Sequence, residues 1–591
     1  MIIKFIKKYY KKYAFMYLIG IIADIAVDIA QMYMPEFSGG LITLITTNEN
    51  LTINDLKPLI IKAVIVAFIL LLGRAIWRFT ILTSSGKIEA DMRHEMFLKA
   101  ERLSQRYYHE HKVGDIMSWF ASDIESIEEF CGWGTIMIID SLFLSIFALY
   151  KMIKLNFVLS LVAIIPLIGL IIWGNIVEKT MSDLWEQRQK NFDKLYDFTH
   201  ETFAGIRVIK AFVKERQELE AFSKVAEDQS NKNLEFAKHS IKFDVYIELI
   251  CGCLFAATTL VGAVLIYMVS KGQPVTILNY EFNLTVGELT TFNGYVDILI
   301  WPMIAMGQIL QMYSRFNTSY KRVNDYLEES EEICNRENAI MLPDCKGKIE
   351  FRNFSFQYPD GNMHSLDNIS FTINAGEMIG VVGKIGSGKT TLVNSLLRLY
   401  NVDDNTIFID NHNIMDLNIQ SLRDNIAYVP QDNFLFSDNI KNNIAFSNKN
   451  LNMAEVRKAA VFADVDDNII DFAEGYETVT GERGVTLSGG QKQRISIARA
   501  YIKDAPIMIM DDSVSAVDMK TEETILGNIK EKRKNKTTII IASRVSTVSS
   551  LDKILVLNNG RVEAFDTPEN LLNISETYKK MVYLQKLESE L

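Results

Sequence analysis

Residues 383–390 read Gly383-Lys384-Ile385-Gly386-Ser387-Gly388-Lys389-Thr390, which fits G-x-x-x-x-G-K-[ST], a phosphate-binding loop. The apolar run Met378-Ile379-Gly380-Val381-Val382 leads in and predicts a buried strand. Thr391 to Tyr400 leads out and predicts a helix. The glycines let backbone N–H groups turn inward around phosphate oxygens, and the helix N-terminus adds positive potential. In that setting Lys389 is expected to reach the β- and γ-phosphates of a nucleotide, and Thr390 to ligate Mg²⁺.

The chain around this loop is 591 residues long, which exceeds one ordinary domain. It is 48% apolar, and the long apolar runs fall in its first 350 residues. The net charge of −11 gives no global reason to expect a nucleic-acid partner. The five cysteines, Cys131, Cys251, Cys253, Cys334 and Cys345, form no metal-spaced cluster. Cys251 and Cys253 lie inside an apolar run and read as packing residues.

Residues 1–325 read as a membrane domain. Lys4, Lys7, Lys8, Lys11 and Lys12 stand among Ile, Phe and Tyr, which predicts a basic amphipathic helix on the cytoplasmic surface and an N-terminus inside. Six spans follow, at 14–36, 57–83, 134–153, 155–176, 246–270 and 287–312, each near the ~20 residues a bilayer core needs. The outer connections are short. The second carries Lys151 and Lys154, a conflict with the positive-inside rule. The inner connections are long, charged and helix-favouring. A helix over 57–107 is roughly 75 Å long at ~1.5 Å per residue, so the helices extend well beyond the membrane. Lys112–Phe120 and Glu201–Lys210 are the expected turns at the tips. Asp24, Asp28, Asp140, Glu248 and Asp297 lie within spans. A charge at that depth faces a partner or a cavity. Two readings follow: helix-to-helix pairing, with Arg74 and Arg78 as possible partners, or an acidic cavity that favours cationic or zwitterionic amphiphiles.

Residues 326–347 are polar and read as a linker, and 348–591 read as a soluble α/β nucleotide-binding domain. Ile349 to Tyr358 alternates like a half-buried strand. Tyr358 closes it, placed either to stack on adenine or to pack in the core. After the loop come Tyr428-Val429-Pro430-Gln431-Asp432 and then Leu487-Ser488-Gly489-Gly490-Gln491. The apolar strand Ile507–Met510 ends in Asp511-Asp512, with Asp511 placed to hold Mg²⁺ through water. Ser515-Ala516-Val517-Asp518 and the strand Thr538–Ser543 close the set.

This ordered set resembles the ATP-binding-cassette domain. The whole chain resembles an ABC exporter half-transporter of the type IV fold: a six-helix all-α membrane domain with long cytosolic extensions, fused to an α/β phosphate-loop cassette. Gly481-Glu482-Arg483-Gly484 resembles the exporter-type contact loop, and the two tip segments resemble coupling helices. The resemblance implies head-to-tail cassettes, with ATP between the phosphate loop of one and the Ser488–Gln491 signature of the other. It makes Tyr358 the adenine-stacking aromatic and Gln431 the link between Mg²⁺, water and the membrane domain. Gly383 to Thr391 is the nucleotide cradle.

Two positions depart from the family pattern. The residue after Asp511 is normally Glu, the base that polarises the attacking water; here it is Asp512. Ser543 stands where the family has a γ-phosphate-contacting histidine. A carboxylate drawn back by one methylene, about 1.3–1.5 Å, costs on the order of 10²-fold in rate. The binding elements and signature are intact, so the losses are selective. They imply a site that binds ATP and hydrolyses it poorly, and a second half-transporter that supplies the competent Glu and His. Multidrug or amphiphile export, in contact with membrane lipid, is the leading function. Lipid or peptide export, a homodimeric exporter and a non-transport ATP-dependent regulator remain as alternatives. Ile-, Asn- and Lys-rich usage points to an AT-rich bacterial genome, and the charge rule then sets the chain in the bacterial cytoplasmic membrane with the cassette in the cytosol.

Overall fold

A computed structural model describes residues 6–47, 52–271, 275–277, 280–282, 284–359, 361–481, 484 and 487–590. Glu482 and Arg483 of the expected contact loop lie outside the described residues. The chain forms two compact units, Met1–Lys99 with Gly114–Glu329, and Ala100–Val113 with Ser330–Leu591.

The first unit is helical. Its long helices are α1 (Ala14–Gln31), α2 (Tyr33–Thr47), α3 (Ile53–Trp77), α4 (Thr83–Arg102), α5 (Thr135–Leu155), α6 (Phe157–Ala204), α7 (Glu215–Ser270) and α8 (Val286–Glu328). Among the described residues five helical stretches are long and apolar enough to cross a membrane: Ala14–Thr47, Ile53–Arg102, Val113–Leu155, Glu215–Ser270 and Val286–Glu328. The expected span 155–176 begins two residues before α6, in which many of its side chains lie outside the described residues. α6 and α7 have 48 and 56 residues, so at ~1.5 Å per residue each is more than twice as long as the ~30 Å apolar core is thick. The expected 57–107 helix runs instead from Ile53 to Arg102, through a π-helical turn at Arg78–Leu82. It breaks before Ser104, which with Arg106 bonds Glu332.

Val113–Ser118 is a short helix within the first expected tip segment, and Ile206–Ala211 is one that starts in the second and ends one residue beyond it. The second buries none of its residues and is flanked by exposed Phe203, Phe212 and Val213. The basic N-terminal segment is partly committed to protein. Lys8 Nζ and Tyr9 OH both reach Glu95 (2.5 and 2.8 Å), and Lys12 Nζ and Tyr13 OH both reach Asp91 (2.5 and 2.8 Å). Two Lys–Tyr pairs four residues apart thus grip two acids four residues apart on α4. Lys7 and Lys11 remain exposed.

Lys151 has a local reason to sit where the charge rule disfavours it. Its Nζ lies 2.6 Å from Glu36 Oε1, which also accepts from Tyr295 OH at 2.8 Å. Nearby, α2 and α8 meet through two small-x-x-x-small pairs, Gly39/Thr43 and Gly287/Thr291. A Cβ on Gly39 would stand 1.9 Å from Thr291 Oγ1, and one on Gly287 2.0 Å from Thr43 Oγ1; each would stand 2.3 Å from the other glycine's carbonyl oxygen. Such contact between backbones is how helices gain packing energy inside a membrane. Gly287→Val forces the helices apart and is expected to cost about 1–3 kcal/mol, read as a lowered Tm in detergent. An unchanged Tm would mean the contact is not needed.

The second unit contains two sheets. One is four-stranded and antiparallel, in the order β4 (Leu366–Ile373), β3 (Ile349–Phe356), β6 (Ile407–Ile409), β7 (His412–Asn413). The other runs β12 (Arg561–Asp566), β11 (Lys553–Asn558), β5 (Met378–Gly383), β10 (Thr537–Ile541), β9 (Ile507–Asp511), β8 (Ile426–Val429). From β11 to β8 it is parallel. Its central strands are apolar on both faces, as a sheet covered on both sides requires. Two strands, Val275–Ile277 and Tyr280–Phe282, pair in the first unit as β1 and β2. Part of the polar segment after α8 is tied to the cassette: Arg336 pairs with Asp404 and Asp416, both at 2.6 Å.

Candidate nucleotide site

The site is assembled where parallel strands end, the usual place for ligands in such sheets. Ile541 of β10 pairs with Val381 of β5 on one side and Asp511 of β9 on the other. That register brings the phosphate loop, Ser543 and the Asp511-Asp512 pair to one edge of the sheet.

The loop runs from the end of β5 into α9 (Lys389–Leu396), a shorter helix than the 391–400 stretch predicts. Gly386 and Gly388 have φ of +79° and +95°, values that favour glycine. A Cβ on Gly386 would meet nothing within 4 Å, whereas one on Gly388 would stand 2.6 Å from the Ser365 carbonyl oxygen. The first therefore leaves room above the loop, and the second allows its tight turn. Lys384 and Ile385 are exposed at its crest. Lys389 Nζ donates to the carbonyls of Gly383 and Lys384 at 2.8 and 2.9 Å, which places its charge inside the loop. Burial lowers the Lys389 pKa, and the charges of Asp511 and Asp512 oppose that.

Asp511 is 2% exposed, and its Oδ2 has no hydrogen-bond donor. Burial raises its carboxyl above the ordinary value; a hydrogen bond from Thr390 opposes this, the Asp512 charge adds to it, and Lys389 opposes it. An orphaned carboxylate oxygen beside a threonine hydroxyl is a hard oxygen set that fits Mg²⁺. The buried Ser387 Oγ is likewise unpartnered.

Asp512 has φ of +46°, a conformation that Asp tolerates better than most residues. Its backbone is held on three sides. The N–H donates to Ile541 O at 3.0 Å, and the carbonyl accepts from Gln493 Nε2 at 3.1 Å and Ser515 Oγ at 2.9 Å. Ser543 Oγ donates to Asp512 Oδ1 at 3.2 Å. The two positions that depart from the family pattern therefore touch each other.

Other residues singled out above stand as follows. The Tyr358 hydroxyl lies 3.1 Å from Thr391 Oγ1, and its ring sits edge-on to Phe356 and Tyr400. Thr391 is buried and holds Tyr358 beside the loop. Gln431 is exposed two residues beyond β8. Ser488 caps α10 (Gly489–Ile502) in a reciprocal box with Gln491, so Gln491 also has a structural role. Gly489 has open space around a would-be Cβ, and Gly490 lies against the Ala516 carbonyl. Gln493, which sequence reading passed over, is 2% exposed and joins α10 both to the Asp512 carbonyl and to Ala516 N–H, at 3.0 Å. Its place two residues after Gln491 carries no local signal.

Comparison with known proteins agrees with this geometry. Residues 17–303 match the ABC transporter transmembrane region, and residues 366–515 match the ABC transporter family. The chain is 32% identical over 572 residues to the probable multidrug resistance ABC transporter ATP-binding/permease protein YheI of Bacillus subtilis, covering 97% of this chain and 95% of the relative. This chain belongs to the ABC transporter family. It is also 30% identical over 574 residues to the multidrug resistance-like ATP-binding protein MdlA of Escherichia coli, covering 97% and 95%. The solved structure of a bacterial Atm1-family ABC exporter with ATP bound shares the fold, with a TM-score of 0.78 at 24% identity over 98% of each chain. As an ABC half-transporter it fuses a helical membrane domain to an ATPase cassette, and transport-coupled ATP hydrolysis is the activity of the family.

Proposed function

We propose that this chain is one half of a heterodimeric exporter of amphiphilic small molecules in a bacterial cytoplasmic membrane, and that its own phosphate loop forms the hydrolysis-impaired site. The observation that carries this reading is the 3.2 Å contact between Ser543 and Asp512, set among intact phosphate-binding elements. Drift in an inactive protein would not spare the loop, Asp511 and the signature while changing both the water-polarising acid and the γ-phosphate-contacting residue.

The division of work follows from charge and reach. Lys389 and the loop N–H groups bind and orient the triphosphate; Thr390 and Asp511, with Gln431 beyond them, would hold Mg²⁺. That ion supplies charge neutralisation on the phosphates. Asp512 is short for a water-activating base and is hydrogen-bonded to a serine that carries no charge. Ser488 and Gly489, at the N-terminus of α10, face a second chain and complete its competent site. The exposed apolar tip at Phe203, Val208, Phe212 and Val213 also favours a second chain as its cover. ATP binds the closed pair better than the open one, so its binding drives closure and its loss reverses it. The multidrug names of the Bacillus and Escherichia relatives favour amphiphiles over peptides as cargo.

The chain purified alone is expected to hydrolyse ATP at no more than about one-hundredth of the rate of the pair it forms with a second half-transporter. Equal turnover by the lone chain would overturn the heterodimer. A panel of cationic dyes against lipids and peptides, measured in proteoliposomes, decides the cargo class.

A further inference from the structure

Asp24 and Asp28 lie one turn apart on α1 and are 1% and 2% exposed. Each has an Oδ2 that is buried with no donor to meet it. α1 packs against α5, where the carboxyl of Asp140 acts on both. Ionised carboxylates only accept hydrogen bonds, so three of them facing one another satisfy nothing.

The surrounding charges do not cancel the cluster. Arg74 on α3 acts on Asp140. Arg78 lies 5.3 Å over the Trp77 ring, not against the aspartates. Lys151, further along α5, is taken by Glu36. On the nearer part of α1, Tyr17 donates to the Cys131 carbonyl. Three carboxylates beside one guanidinium leave two uncompensated negative charges, which an apolar interior does not tolerate. Two protons restore neutrality and supply the missing donors, giving two carboxyls that flank one carboxylate. A metal ion is a poorer fit, because no group of three ligands among the described residues could hold one.

A cavity of about 290 Å³ is lined by Trp133, Gln308, Gln311, Met312 and, one turn before Asp140 on α5, Met137, with Glu129 and Arg315 paired at 3.1 Å. Met137 and Asp140 are three residues apart on α5, and so share a face. The aromatic and thioether lining suits the apolar part of an amphiphile.

We infer that Asp24, Asp28 and Asp140 form a proton-holding site in the membrane domain, and that a lipophilic cation seated at this cavity displaces one of its protons. The proton leaves to water and the cation's charge takes its place, so the charge of the cluster and its ligand is unchanged. This rests on the exporter reading and names the class of cargo and its proton linkage.

The test uses the paired transporter in weak buffer with a pH-indicator dye. Tetraphenylphosphonium, which cannot itself titrate, is expected to release about one proton per cation bound. Its Kd is then expected to rise about tenfold per unit fall in pH while the site is protonated. Neutral triphenylphosphine oxide is expected to bind with no release. Asp24→Asn with Asp28→Asn removes both the release and the pH dependence. Binding of the cation without release, or a release that survives the double substitution, overturns the site. If neutral amphiphiles are exported and the cation is not bound, the inference fails and the exporter stands. If no amphiphile of either kind is moved, both fall. The wild-type comparison of charged and neutral probes decides the matter even if the double variant does not fold.

Discussion

Replacing Gly489 with aspartate in the paired transporter is expected to lower ATP turnover by on the order of 10²- to 10³-fold, while replacing Asp512 with asparagine changes it less than about twofold. The contrast follows from which site each residue serves. Gly489 opens α10 and has no neighbour within 4 Å of a would-be Cβ, so the cassette has room for the new side chain. An acid in the first turn of a helix also suits the helix dipole. Stability is therefore spared. In the proposed pair, however, the new carboxylate would face the γ-phosphate bound to the other subunit. Like charges at that range cost several kcal/mol, and each 1.36 kcal/mol is a factor of ten in rate. Asp512 belongs to this chain's own phosphate loop, where the proposed asymmetry leaves little hydrolysis at stake. ATPase rates of the two variants, with nucleotide binding measured alongside, check the prediction. If Asp512→Asn proves as damaging as Gly489→Asp, the two sites share the work and the asymmetry is wrong.

How much of this was legible in the sequence depends on distance along the chain. The phosphate loop, its feeding strand and Asp511 could be read because each needs only local chemistry: glycines at a turn, an apolar run, an acid at a strand end. The departures at Asp512 and Ser543 could be read as well, but not their contact. That needs β9 and β10 to pair in the register that sets Ile541 beside Asp511. Gln493 was invisible for the same reason, since its partners lie 19 and 23 residues away. In the membrane domain the i, i+4 spacing of Asp24 and Asp28 was plain, and Arg74 and Arg78 were possible partners under the pairing reading, beside the alternative of an acidic cavity. In the structure the charge of Arg74 acts on Asp140, and Arg78 lies over the Trp77 ring. Lys151 looked misplaced because the charge rule weighs single residues, whereas Glu36, 115 positions earlier, decides its cost. The helix expected over 57–107 likewise ends earlier, at Arg102. Helix-favouring composition continues past Arg102, but the contacts of Ser104 and Arg106 with Glu332 act against it.

Restoring both missing groups is expected to raise the ATPase of the lone chain on the order of 10²-fold. Two copies of Asp512→Glu with Ser543→His present an intact Ser488–Gln491 run to each phosphate loop, so neither site depends on an unlike partner. The backbone at 512 is anchored through Ile541, Gln493 and Ser515, and none of these bonds uses the replaced side chain. Lengthening the acid therefore moves its carboxylate about 1.3–1.5 Å outward, the distance over which general-base catalysis is won or lost. Glutamate is less at ease than aspartate at a φ of +46°, a strain of about 1–2 kcal/mol that the three anchors must hold. Asp512→Glu alone is expected to recover only part of the rate, because Ser543 cannot supply the γ-phosphate contact. Ser543→His alone is expected to recover still less, since a short base stays out of reach whatever stands beside it. Single-turnover hydrolysis by the four proteins separates these outcomes from changes in nucleotide binding. If the double variant turns over no faster than the parent chain, the impairment lies elsewhere than in the Asp512–Ser543 contact.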